Sequence, residues 1–171
     1  MTNHGRSEKH FKRGYTQGVF DLFHVGHLNL INHAKEYCDY LIVGVNSDDL
    51  TFSYKHKYPL ISEEERCLIV SNIRSVDEAH IVNSLDKAEQ YSRFHFDAIF
   101  IGDDWKGNTR WQQTEADLAV YGIDVVYLPY TKGICSTDLH AFIDKDADGQ
   151  FKKRYELSEI GISVCKQREK R

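Results

Sequence analysis

Apolar and polar positions come in blocks along this chain. Short apolar runs alternate with amphipathic stretches from Gly14 to Ile143. Gly14–Phe20 is aromatic and β-branched and predicts a first strand, ending at Asp21. Leu28, Ile31 and Ala34 recur at spacing three and predict a helix over Gly26–Tyr37. Tyr40–Val45 (Y-L-I-V-G-V) reads as a buried strand. Ser62 with Glu65 three residues on is a capping-box signature for a helix over Glu63–Asn72. Glu78–Val82 predicts a short strand and Leu85–Phe94 a helix. Ala98–Ile101 predicts a buried strand stopped at Gly102, and Thr109–Tyr121 a helix closed by Gly122. Asp124–Leu128 predicts a last strand, stopped by Pro129. Strands separated by helices imply βαβ units, hence an α/β fold around a mostly parallel sheet.

In such sheets ligands sit beyond the carboxyl ends of the strands, where strand order reverses. Function is therefore expected after Phe20, Asn46, Gly102 and Leu128. The composition is ordinary and globular: 171 residues, 41% apolar and 28% charged. The net charge of −4 leaves the main body no basic stripe, which argues against nucleic acid as partner. No apolar run approaches the ~18–20 residues of a membrane helix. Met1–Arg13 is polar and lacks a secretory apolar stretch. Cys38, Cys67, Cys135 and Cys165 are scattered, without a C-x-x-C pair, so free thiols and a cytoplasmic location are expected. The pattern divides the chain into an N-terminal extension (1–13), a main α/β domain (14–143) and a partly helical tail (144–171).

The first strand runs into Asp21-Leu22-Phe23-His24-Val25-Gly26-His27. Two imidazoles flank a glycine at the mouth of a helix, where free N–H groups and the helix dipole favour phosphate. Gly26 lets a phosphate approach the backbone. His24 and His27 can donate hydrogen bonds as charge builds in a transition state. A bland alternative is a helix cap with two incidental histidines. Zinc capture by this pair needs further ligands, and none has suitable local spacing. The G-x-G-x-x-G of dinucleotide dehydrogenases is missing after the first strand.

The segment G-V-F-D-L-F-H-V-G-H resembles the signature of the H-x-G-H nucleotidyltransferases, the cytidylyltransferase-like family. The resemblance continues in order over about residues 14–143. Ser47-Asp48-Asp49 resembles the family's S-D-E stretch, and Tyr54-Lys55-His56-Lys57 and Glu65-Arg66 its lysine and its E-R pair. Ser75-Val76-Asp77-Glu78 resembles its Y-V-D-E. Gly102-Asp103-Asp104-Trp105 resembles the G-D-D-W of the glycerol-phosphate cytidylyltransferases, and Thr131–Thr137 their R-T-E-G-I-S-T-T loop.

The resemblance implies a Rossmann-like five-stranded parallel sheet with helices on both faces. It implies in-line attack of a phosphorylated alcohol on the α-phosphate of a nucleoside triphosphate, with Mg²⁺ as cofactor. It implies catalytic roles for His24, His27, Lys55 and Arg66. Gly18, Val19, Phe20, Gly26, Gly102, Asp103, Trp105, Thr131, Ser136 and Thr137 would bind the nucleotide. Lys57 and Tyr130 are candidates for contacts with the acceptor, and Asp21 is a candidate metal ligand. Lys55 and Lys57 read without the family are solvated loop charges, and Trp105 is a candidate for core packing.

The chain departs from the family at Tyr130, where Arg is usual, and at Cys135, where Ser is usual. The expected reaction joins CTP and glycerol phosphate into CDP-glycerol and pyrophosphate. The product would serve a glycerol-phosphate surface polymer such as teichoic acid or capsule. An adenylyltransferase of the same fold, another acceptor (glycerol-2-phosphate, choline, ethanolamine or heptose phosphate) and a non-catalytic nucleotide-binding regulator are alternatives. A homodimer is implied by the resemblance alone. In the tail, Asp144, Asp146 and Asp148 with Gly149 fit the opening of an EF-hand calcium loop, but position 12 holds Tyr155 rather than Glu. Residues 151–171 carry seven Lys/Arg against three Asp/Glu, a basic end with a short helix expected over Arg154–Ile160.

Overall fold

The computed structural model describes residues 10–145. Two compact units divide the chain after Ser136. The first holds a five-stranded, all-parallel sheet in the order β3-β2-β1-β4-β5. Its strands are β1 (Phe11–Gly18), β2 (Cys38–Asn46), β3 (Glu78–Val82), β4 (Ala98–Gly102) and β5 (Asp124–Leu128). Between them run α1 (Val25–Glu36), α2 (Asp48–Lys55), α3 (Glu63–Ser71), α4 (Lys87–Phe94) and α5 (Thr109–Ala119). A helix α6 (Ser136–Lys145) follows, all but its first residue in the second unit. The chain first builds β1-β2-β3 outward, then returns to the other side of β1 with β4 and β5. That reversal makes the carboxyl ends of β1 and β4 the switch point at which such sheets bind ligands.

Alternation along the strands supplies both faces. Leu41, Val43 and Val45 of β2 face one way and pack with Ile31 and Ala34 of α1 and Val70 of α3. Tyr15, Ile42 and Ile99 face the other way and pack with Phe94 of α4 and with Trp111 and Leu118 of α5. The expected fold class is the observed one.

Three element expectations need correction. β1 begins at Phe11 and ends at Gly18, not Gly14–Phe20. Its basic start is a true strand, paired with β2 from Phe11 opposite Cys38, and the Arg13 guanidinium lies 5.0 Å from the Tyr40 ring centre. Phe20 is buried but sits in left-handed backbone (φ 56°), outside the ladder. α2 was not expected as a helix. Ser47 caps it, the Leu50 N–H donating to its Oγ, and Thr51 is its buried residue. α4 starts at Lys87 rather than Leu85, because Asp86 caps the Ala88 and Glu89 N–H groups.

β3 and β5 have the expected bounds. Ser62 caps α3 as expected, accepting from the Glu65 N–H. α5 ends at Ala119, and Gly122 (φ 72°) closes it. The Ile123 N–H reaches Leu118 O and the Gly122 N–H reaches Ala119 O, a Schellman motif. Asp144 lies in α6, while Asp146, Asp148 and the expected helix at 154–160 lie outside the described residues.

Candidate active site

The site is built on the turn from β1 into α1. Phe20 (φ 56°) and Leu22 (φ 48°) are both in left-handed backbone, which costs a non-glycine residue on the order of 1–3 kcal/mol. Asp21 between them holds the turn. Its Oδ1 accepts from the Leu22 and Ile61 N–H groups and its Oδ2 from the Leu60 N–H, and the residue is 2% exposed. The Asp21 carboxylate is thus a clamp joining this turn to the loop before α3. Three amide donors already hold this carboxylate, the candidate metal ligand of the sequence analysis. Among the described residues no group of three His, Cys, Asp or Glu could hold a metal ion.

His24 is the N-cap of α1, and its Nδ1 accepts from the Gly26 N–H at 3.1 Å. Its Nε2 lies 3.3 Å from Ser136 Oγ, whose hydroxyl donates to the Asp21 carbonyl at 2.9 Å. These partners fix the tautomer. Nδ1 is an acceptor, and the serine proton is already spent, so His24 Nε2–H donates to Ser136. Gly26 has a sterically forced identity: a Cβ there would lie 2.9 Å from two atoms of the His24 ring. The glycine makes room for the capping imidazole.

His27 stacks on His24, with ring centres 3.8 Å apart. Phe20 packs against it at 5.3 Å and Phe23 at 5.5 Å. Burial above all, then the charges of His24 and Lys55, lower its pKa to about 3, so the ring is neutral at physiological pH. Burial lowers the His24 pKa too. The His27 Nδ1 is buried and has no hydrogen-bond partner among the described residues. Such a group costs about 1–3 kcal/mol until something fills it. Both ring nitrogens of His24 thus have partners in the protein, whereas the His27 Nδ1 has none among the described residues.

Lys55 is the last residue of α2, and His56 beyond it closes the helix in left-handed backbone (φ 54°). Partial desolvation lowers the Lys55 pKa, while the Asp21 carboxylate opposes that shift. Asp21 acts in the same way on His27, so the turn, the imidazole pair and the lysine form one electrostatic group. Lys57 stays in the exposed loop that follows.

Arg66 is 1% exposed, and its guanidinium is engaged by the protein. Nε donates to Ile61 O at 2.8 Å, Nη1 to Val19 O, and Nη2 to Asp48 Oδ1 at 2.6 Å. It braces the end of β1, the loop before α3 and the first turn of α2. The expected catalytic residue Arg66 is thus placed beneath the turn, its guanidinium bonded to three segments of the chain.

At the end of β4, Asp103 Oδ1 accepts from the Tyr130 N–H at 3.0 Å and ties this turn to the one after β5. A Cβ on Gly102 would lie 2.3 Å from Asp104 Oδ1, so the Asp104 side chain would have to turn away to admit one. Burial raises the Asp104 pKa. Trp105 is 43% exposed, which removes the core-packing alternative. Thr131 Oγ1 accepts from Asn29 Nδ2 at 3.1 Å. Gly18, Val19 and Phe20 lie at the end of β1 and the turn, as expected; Thr137 lies in the second unit.

Asn29, the Asp48 carboxylate and the Gln17–Asn46 pair were not expected from sequence. Gln17 Nε2 donates to Asn46 Oδ1 at 2.8 Å, and Asn46 Nδ2 donates to the Tyr54 hydroxyl at 3.1 Å, beside Lys55. The signals available were the polar residues near the ends of β1 and β2 and the Ser47-Asp48-Asp49 stretch.

A switch-point cleft with a stacked histidine pair at a helix N-terminus defines a class, the nucleotidyltransferases of the H-x-G-H type. The sequence pattern of the cytidylyltransferase-like family matches residues 15–169, and the chain belongs to that family. It is 36% identical over 129 residues to the glycerol-3-phosphate cytidylyltransferase of Bacillus subtilis (strain 168), covering 75% of this chain and 94% of that protein. It is 37% identical over 111 residues to a probable ethanolamine-phosphate cytidylyltransferase of Encephalitozoon cuniculi, covering 65% of this chain and 34% of that protein. Among solved structures it resembles a lipopolysaccharide core biosynthesis protein from Thermoplasma volcanium, with TM-score 0.61 and 27% identity over 72% of this chain and 99% of that one. No helix among the described residues is long and apolar enough to cross a membrane.

Proposed function

We propose that the protein joins CTP to glycerol 3-phosphate, giving CDP-glycerol and pyrophosphate. The carrying observation is the His24–His27 stack beside Lys55, with one His27 nitrogen unspent. An acceptor phosphate oxygen attacks the α-phosphorus, a new P–O bond forms, and the bond to the β-phosphate oxygen breaks as pyrophosphate leaves. Such transfer needs positioning and charge stabilisation more than covalent chemistry. His27, neutral, donates an N–H to the phosphate oxygens. Lys55 supplies positive charge to the phosphates. His24 is spent on Gly26 and Ser136 and holds the stack in place. Asp21 and Arg66 keep the strained turn rigid, so no reorganisation is needed when charge develops.

Mg²⁺ is proposed to enter as the counter-ion of the triphosphate. The Asp21 carboxylate already accepts three amide N–H groups, so the triphosphate supplies the oxygens that would hold Mg²⁺. Glycerol phosphate as acceptor rests on the relative from Bacillus subtilis and on the G-D-D-W turn. The relative from Encephalitozoon cuniculi makes ethanolamine phosphate the second reading. A homodimer is proposed on the family resemblance, with the exposed Leu68 and Ile69 of α3 available for burial. The test is pyrophosphate release with Mg²⁺, crossing CTP and ATP against glycerol 3-phosphate, glycerol 2-phosphate, choline phosphate and ethanolamine phosphate. Release with CTP and glycerol 3-phosphate alone is expected. Release only with another acceptor would keep the chemistry and overturn the substrate. CTP binding without release on any acceptor would move the reading to a regulator.

A further inference from the structure

The helix that carries Lys55 has almost no apolar anchor. Thr51 is the buried residue of α2, while Phe52 and Tyr54 are exposed. A short helix without a buried stripe is held by its polar contacts. At its first turn Ser47 caps the Leu50 N–H and Asp48 pairs with Arg66. At its last turn the Tyr54 hydroxyl accepts from Asn46 Nδ2 at 3.1 Å. A second contact of that hydroxyl, with Thr51, lies within α2 and cannot hold the helix against the sheet. Successive helix residues are turned by about 100°. Drawing Tyr54 to Asn46 therefore sets the direction in which Lys55, the next residue, leaves the helix. His56 ends α2 immediately afterwards, so no further turn supports that direction.

Asn46, the last residue of β2, is itself fixed from the sheet. It is buried, and its Oδ1 accepts from Gln17 Nε2 at 2.8 Å. Gln17 of β1 is held at both ends of its amide. Its Nε2 also donates to Ser84 O at 3.0 Å. Its Oε1 accepts from the Tyr15 hydroxyl at 2.9 Å and from the buried Lys87 ammonium at 2.7 Å. Tyr15 is fully buried and stacks on the rings of Phe94 and Phe96, and a Cβ on Gly44 would lie 2.3 Å from its hydroxyl. These donors give both amides one orientation. The Gln17 carbonyl receives Tyr15 and Lys87, so its NH₂ faces Asn46. The Asn46 carbonyl receives that NH₂, so its own NH₂ faces Tyr54. Flipping Asn46 would set two NH₂ groups against each other.

We infer that Gln17 and Asn46 are positioning residues for Lys55: they lock the Tyr54 hydroxyl to the sheet and so aim the lysine at the histidine pair. The inference rests on Lys55 being the cation of the proposed cleft. The electrostatics of that cation agree with the aim. Its charge lowers the His27 pKa, and the Asp21 carboxylate acts on the lysine in turn, so both partners lie in the turn from β1 into α1. Without the Asn46 bond the last turn of α2 keeps only its own internal contacts, and Lys55 can swing away from that turn.

The test uses the full chain with Tyr54→Phe, which removes only the hydroxyl, and with Asn46→Ala. Tyr54 is 37% exposed, so its variant carries the test even if Asn46→Ala folds poorly. The first arm needs no substrate: the Lys55 ammonium is titrated through its ¹³Cε resonance. Partial desolvation lowers its pKa in the native protein. In both variants the midpoint should rise toward the ordinary lysine value near 10.4. The second arm is a double-mutant cycle on pyrophosphate release. Tyr54→Phe should lower kcat about tenfold when Lys55 is present, as a misplaced group does, and leave it nearly unchanged in Lys55→Met. A Lys55 midpoint that stays at its wild-type value in Tyr54→Phe would overturn the inference. So would equal fold losses in both Lys55 backgrounds, because the hydroxyl would then act apart from the lysine. A wild type that releases no pyrophosphate would overturn the proposed reaction instead, and the titration would still decide whether Tyr54 aims Lys55.

Discussion

Replacing Arg66 with Met separates a brace from a catalytic group. Met keeps much of the length and apolar stem but removes every donor. Three acceptors then lose their partner: Val19 O, Ile61 O and the Asp48 carboxylate. Breaking a buried ion pair from one side costs about 3–5 kcal/mol. The Arg66 side chain is 0% exposed, which argues for the full value, but Asp48 is 32% exposed and water recovers part of its loss. The two carbonyls add roughly 1 kcal/mol or more each where water cannot reach them. Relief of the guanidinium's own desolvation works the other way. The net expectation is a loss of about 3–4 kcal/mol, a large share of a domain's ~5–15 kcal/mol. Urea denaturation followed by circular dichroism reads the loss, and pyrophosphate release on the folded fraction reads turnover. Arg66→Lys should fall between, because one ammonium cannot reach acceptors on three segments. A stability change under about 1 kcal/mol with turnover abolished would refute the brace and return Arg66 to the substrate.

Gly26→Ala places a Cβ 2.9 Å from the His24 ring and should displace that cap. Stability should fall by about 1 kcal/mol in thermal melts, and turnover by about a hundredfold. Lys87 predicts a pH dependence of folding. Its folded pKa of about 7 lies below the ordinary lysine value near 10.4, so above pH 7 the unfolded chain binds more protons and stability rises with pH, by up to about 1.4 kcal/mol per unit. Urea midpoints from pH 7 to 9 should show this rise in the wild type and a smaller one in Lys87→Met; equal slopes would remove the buried cation. Light scattering at working concentration should give the mass of two chains, and a monomer mass would refute the dimer.

What the sequence revealed follows from how local each signal is. β3 and β5 are apolar runs with turn residues at both ends, so their bounds could be read directly. β1 could not be: Lys12 and Arg13 mask its start, and the apolar Phe20 is buried by a strained turn rather than by a strand. α2 hid because D-D-L-T-F-S-Y-K has no apolar stripe. It is held by the Ser47 cap, by the Thr51 hydroxyl bonded back to Ser47 O, and by the Asp48–Arg66 pair. The histidines were legible because they sit three residues apart around a glycine, just after a strand. Their division of labour was not, because it depends on Ser136, more than a hundred residues away. Asp21 and Arg66 were assigned from the family resemblance alone. Their buried partners, the Leu60 and Ile61 N–H groups and the Asp48 carboxylate, come from segments that no local pattern links to them.

The central claim is nucleotidyl transfer at the α1 N-terminus with His27 as the donor. The most direct measurement is pyrophosphate release from CTP and glycerol 3-phosphate by wild type and by His27→Ala, with CTP affinity and melting temperature measured in parallel. The account predicts release by the wild type. In the variant it predicts a rate lower by about 10²–10³, with CTP binding and melting nearly unchanged. A His27→Ala protein that turns over at a near-normal rate would contradict it.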